Sequence, residues 1–166
     1  MRSRVFAAVA WTLLVFAGSA SGATLTVKAH LSGKDEVPPS AARGGGGDLI
    51  GQVDTDTRLM TYRVTYKGLT GPATTAGFSG PAARGKVGAS IYVVSDASTP
   101  ISGEARLTDD QLAQLQKGLW YFNVATGANP DGEIRGQLRA ENPDLENPSQ
   151  PPSWDPQHMP TSINNR

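Results

Sequence analysis

The sequence predicts an all-β domain with one short helix, and three observations carry that prediction. Thr24 to Leu31 alternates strictly, with Leu25, Val27, Ala29 and Leu31 on one face and Thr24, Thr26, Lys28 and His30 on the other. That is the period of a half-buried strand. A second run repeats it, with Met60, Tyr62, Val64 and Tyr66 opposite Thr61, Arg63 and Thr65. Only one stretch carries the start and stop signals of a helix, whereas glycine-rich turns punctuate seven or eight strand-like runs. Such a succession implies a β-sandwich or an open barrel.

Taken in order, the first strand leads into Ser32 to Gly47, read as a mobile loop with two prolines and four consecutive glycines. Asp48 to Val53 and Leu59 to Tyr66 form a hairpin around Asp54-Thr55-Asp56-Thr57. Lys67 to Pro72 turns the chain into Ala73 to Phe78, a weaker strand ended by Ser79-Gly80-Pro81. Lys86 to Val94 and Ile101 to Leu107 follow as strands. Thr108 and Gln111 then have capping-box spacing, Asp109 and Asp110 suit a helix N-terminus, and Leu112 and Leu115 face inward. Gly118 supplies the left-handed residue that ends the helix.

The most informative run comes last. Gly118-Leu119-Trp120-Tyr121-Phe122-Asn123 reads as an aromatic strand, Asn129-Pro130-Asp131-Gly132 as a turn, and Glu133-Ile134-Arg135-Gly136-Gln137-Leu138 as the returning strand. Proline presets φ in such a turn and glycine supplies the positive φ that closes it. Trp120, Tyr121 and Phe122 must alternate faces, so at least one ring points away from the main core.

The ends of the chain differ in character. Arg2 and Arg4 precede an apolar run from Val5 to Ala17, and small residues follow, the pattern of a signal peptide over 1–23 cleaved after Ala20 or Ala23. The apolar run is shorter than the ~20 residues that span a bilayer. No membrane span is therefore expected after cleavage, and the destination is the periplasm or the exterior. Residues 24–140 make one domain. Glu141 to Arg166 holds six of the twelve prolines and few apolar residues, the composition of a disordered tail. Trp154 and Met159 could dock on a partner, but a solvated tail is the favoured reading.

Composition excludes several functions. The chain of 166 residues has no cysteine, which removes disulfides, thiolate metal sites and a cysteine nucleophile. Its 15 basic and 15 acidic residues become 13 against 15 once Arg2 and Arg4 are cleaved, and nothing points to nucleic acid. Ser79 sits in Gly77-Phe78-Ser79-Gly80-Pro81, which misses the last glycine of a nucleophile elbow, and His30 and His158 are the only imidazoles. Asp54 and Asp56 offer oxygens to a cation, but a polar hairpin turn accounts for them better. Glu133 and Arg135 share a strand face and suit a buried or half-buried ion pair locking strands, a reading favoured over acid–base chemistry with Glu36. No catalytic residue, cofactor or metal is expected.

Leu31-Ser32-Gly33 with Glu36-Val37-Pro38-Pro39, Tyr66-Lys67-Gly68-Leu69-Thr70-Gly71, Leu107-Thr108 leading to Gly118-Leu119-Trp120-Tyr121, and the closing Asn129-to-Leu138 run resemble the CHRD (chordin-type) domain family. The likeness spans roughly residues 25 to 140 and is to its stand-alone, bacterial exported members. It implies an immunoglobulin-like or superoxide-dismutase-like β-sandwich. The positions that match the family motif are Glu36, Pro38, Pro39, Gly71, Trp120, Asn123, Asn129, Pro130, Gly132, Glu133, Arg135 and Gly136, with structural roles implied. Many relatives carry histidines that look like a metal cluster where this chain has Gly77, Ser79 and Ala125. The resulting expectation is a non-catalytic binding or structural module for an unknown extracytoplasmic ligand or protein. The rivals are a degenerate dismutase-like metalloprotein and a small-molecule or glycan binder using the aromatic strand and the Gly44 to Gly47 loop.

Overall fold

The computed structural model describes residues 23–41 and 44–141; the expected signal segment before them and the tail beyond Glu141 lie outside the described residues. Among the described residues the fold has nine antiparallel strands, one α-helix and a short 3-10 turn at Gly33–Asp35. The strands and the α-helix are β1 (Thr24–Ser32), β2 (Gly46–Asp54), β3 (Leu59–Lys67), β4 (Ala73–Ser79), β5 (Ser90–Val93), β6 (Ile101–Arg106), α1 (Asp109–Gln116), β7 (Tyr121–Thr126), β8 (Ile134–Gln137) and β9 (Arg139–Glu141). All strands belong to one sheet, ordered β5-β4-β7-β8-β1-β2-β3-β6, with β9 also paired to β1.

The sheet is curled so that its two halves face each other. β3 and β4 are far apart in strand order, yet the Tyr62 ring meets the Phe78 ring edge-on at 4.9 Å. Phe78 also contacts Phe122 at 4.8 Å and Trp120 at 6.2 Å. The core between the halves holds Leu25, Val27, Leu31, Val53, Met60, Val64, Leu115, Ile134 and Leu138, all nearly or fully buried. The alternation of β1 and β3 predicted these inward faces. At the fold line, Ser32 pairs with Arg135, and β9 continues beside β1 at Thr26, Val27 and Lys28. Gly136 makes this crossing possible, since a Cβ there would stand 2.6 Å from the His30 carbonyl oxygen.

Three expectations change. Gly46 and Gly47 are not loop but the start of β2. A Cβ on Gly47 would stand 2.4 Å from the Thr65 carbonyl oxygen and one on Gly45 would stand 2.9 Å from Ile134, so these glycines serve close packing. The strand expected over Lys86 to Val94 shrinks to Ser90–Val93, because Gly80 to Ala89 leaves the sheet and folds over the outer side of β7 and β8. Strand pairing also reaches Glu141, one residue past the expected domain end; the Lys28 Nζ donates to its carboxylate at 2.6 Å.

The helix forms as its signals predict. Thr108 Oγ1 accepts from the Gln111 N–H and Gln111 Oε1 accepts from the Thr108 N–H, closing the capping box. Gly118 has φ +67° and its N–H bonds the Leu115 carbonyl, ending the helix one residue before the chain turns towards Trp120. The Asp54 turn is a side-chain-closed one: Asp54 Oδ1 accepts from the N–H groups of Asp56 and Thr57 at 3.0 and 2.8 Å.

Candidate functional site

The motif residues converge where the β7–β8 turn meets the segment after β1. Gly132 N–H bonds the Asn129 carbonyl at 3.1 Å, closing the Asn129-Pro130-Asp131-Gly132 turn, with Pro130 exposed at its tip. Gly132 sits at φ +142°, which an L side chain rarely adopts. This turn breaks the simple alternation expected from Glu133 to Leu138. Glu133 therefore precedes the strand and does not share a face with Arg135.

Glu133 is fully buried, and among the described residues it forms no salt bridge. Its Oε1 accepts from the Thr70 N–H at 2.7 Å. Oε2 accepts from the hydroxyls of Thr70 and Thr126, each at 2.6 Å, and from Asn129 Nδ2 at 2.9 Å. Burial pushes the carboxyl up, but the donors from Thr126, Thr70 and Asn129 outweigh it and hold Glu133 below its ordinary value. The expected Glu133–Arg135 ion pair is thus replaced by a neutral cage of donors around a carboxylate. Gly71 follows Thr70 in the adjoining bend, with open space where a Cβ would stand; the bend's demanding glycine is Gly68, at φ +70°.

Arg135 is buried on the other side of the turn. Its guanidinium stacks on the Tyr121 ring at 3.4 Å, and Nη2 donates to the Lys86 carbonyl at 2.6 Å. Tyr121 is the ring that alternation turns away from the core, and it is buried all the same, beneath the Gly80 to Ala89 loop. That loop is closed by the Gly80 N–H bond to the Ala89 carbonyl; a Cβ on Gly88 would stand 2.8 Å from Gly80 Cα, and one on Gly80 would stand 2.7 Å from the Leu119 carbonyl oxygen. Burial lowers the Arg135 pKa, and Tyr121, Glu36 and Asp35 oppose that shift.

Glu36, 6% exposed, completes the cluster. A Cβ on Gly132 would stand 2.6 Å from Glu36 Oε1 and from both terminal atoms of Asn123, so these two side chains meet over the bare face of the glycine. Pro38 and Pro39 follow Glu36 on the surface. Trp120 stands apart from this polar cluster, in the core, with its Nε1 donating to Gln114 Oε1 at 3.1 Å. Sequence spacing grouped these residues by motif, but it could not show that Glu36 neighbours Asn123 and Arg135.

Two surface features adjoin the cluster. A groove of about 210 Å³ is lined by Gly77, Ser79, Asn123, Ala125 and Asp131, so the three positions where relatives carry histidine do come together. A larger groove of about 450 Å³ is bordered by the Arg84–Asp35, His30–Asp48 and Lys28–Glu141 pairs. His30, exposed and bonded to Asp48 at 2.9 Å, lies at this larger groove and does not line the one that contains Ser79. Among the described residues, no group of three or more His, Asp or Glu side chains gathers around one point.

The model of the CHRD domain matches residues 27–138. The chain belongs to that family. No curated protein and no solved structure matches it.

Proposed function

We propose that this CHRD-domain chain is an exported, non-catalytic binding or structural module of the cell envelope or exterior. The observation that carries this reading is how the family motif uses its charged groups. Glu133 accepts four hydrogen bonds from within the domain, and Arg135 stacks on Tyr121 beneath a covering loop. A general acid, base or anion-binding arginine must reach substrate, and these two groups face inward. The motif serves architecture, which leaves recognition to the surface. Export rests on the basic start, short apolar run and small-residue exit of the first 23 residues.

Two measurements test the reading. Intact mass of the protein recovered outside the cytoplasm should give a chain beginning near Ser21 or Thr24; recovery only of a chain beginning at Met1 refutes export. Elemental analysis of protein purified without chelator or histidine tag should find well under one transition metal per chain. A stoichiometric zinc or copper would instead favour the dismutase-like metalloprotein and overturn the non-catalytic assignment.

A further inference from the structure

Glu36 Oε1 and Asn123 Oδ1 are both buried, and among the described residues neither has a hydrogen-bond donor. They flank the same point, each 2.6 Å from where a Gly132 Cβ would stand. Leaving either acceptor oxygen unpaired in a buried site is costly. Two of the neighbouring donor groups are held by other partners. Asn123 Nδ2 is held by the Asp131 carbonyl at 3.0 Å, which fixes the amide so that Oδ1 is the free end. Arg135 spends its Nη2 on the Lys86 carbonyl and its face on Tyr121. The Glu36 carboxyl can itself bring a donor to this contact by carrying a proton.

We propose that Glu36 is a neutral carboxylic acid that donates its proton to Asn123 Oδ1, locking the Gly33-to-Pro39 segment onto the β7–β8 turn, and that losing this proton releases the segment. The bare face of Gly132 is what lets the two side chains meet. The charged groups around Glu36 are Asp35 on its own segment, Arg135 on β8, and Lys34 and Arg84, which line the same surface groove of about 380 Å³. Asp131 lies on the turn that Asn123 grips, and its own side chain is exposed. Burial pushes the Glu36 carboxyl up to about 7 from 4.5, with Arg135 and the Val37 N–H pulling against it and Asp35 adding to it. The lock is therefore closed at acid pH and opens as the pH rises through about 7.

The test uses the whole domain with labelled glutamate carboxyls followed by NMR. Glu36 should titrate near 7, and the Asn123 side-chain amide resonances should move with the same midpoint. A Glu36 midpoint near the ordinary 4.5 overturns the proposal. Hydrogen exchange at the Lys34-to-Val37 amides should rise about tenfold above its intrinsic pH dependence as the lock opens. Glu36→Gln supplies a permanent N–H donor to Asn123 Oδ1. It should hold those amides protected on both sides of neutrality and abolish the fall in melting temperature expected of the parent between pH 4.5 and about 7. An unchanged pH slope in Glu36→Gln also refutes the lock. Should that variant not fold, the parent protein's Glu36 and Asn123 titrations decide alone.

Discussion

Two buried glutamates have their carboxyl pKa values pushed in opposite directions by their surroundings. Glu133 receives four donors and stays ionised, whereas Glu36 faces an acceptor oxygen and retains its proton in our proposal. The Glu133 pKa lies below its unfolded value, so the stability it contributes is complete above that value and is lost as pH falls through the lower folded one. Glu133→Gln should therefore flatten the acid limb of the stability curve, measured by denaturant melts at a series of pH values. Glu133→Ala should cost about 3 kcal/mol at neutral pH, because it strands buried donors from Thr70, Thr126 and Asn129. A neutral-pH cost below about 1 kcal/mol would mean water replaces the carboxylate without penalty.

The short elements β8 and β9 join the halves of the sheet. β8 pairs with β7 while β9 pairs with β1, and Leu138 between them is fully buried, with its N–H on the Trp120 carbonyl at 2.8 Å. A chain ending at Glu141 keeps every one of these contacts and should match the full chain to within about 0.5 kcal/mol. A chain ending at Leu138 loses the β9 ladder and the Lys28–Glu141 bond, and should be less stable by about 1–3 kcal/mol. Equal midpoints for the two chains in urea would show that β9 contributes nothing to the fold. The Gly80 to Ala89 loop illustrates the opposite case, where an element expected from β-propensity gives way. Val87 favours a strand but is left 68% exposed, because covering Tyr121 and Arg135 takes the chain out of the sheet.

For the molecule as a whole, the aromatic cluster ties the halves together. Phe78 touches Tyr62 across the core and Phe122 and Trp120 within its own half. Phe78→Ala or Trp120→Ala should cost about 3–5 kcal/mol, a large share of the ~5–15 kcal/mol available to such a domain. Denaturant melts should find either variant partly unfolded at ambient temperature; a shift below about 1 kcal/mol would show that the core closes over the missing ring. What the sequence by itself determined was local. Period-two alternation marked β1 and β3, the Thr108–Gln111 spacing marked α1, and Asn-Pro-Asp-Gly marked the turn, because propensity and capping act over a few residues. The ordered motifs also sufficed to place the chain in its family. Only the tertiary structure decided which charges meet. Glu36 is remote from Asn123 and Arg135 along the chain, and Thr70 is remote from Glu133, so their contacts depend on how the sheet curls. Glycine faces at 47, 132 and 136 set those approaches, and a glycine in sequence does not say which backbone or side chain will occupy the space it leaves.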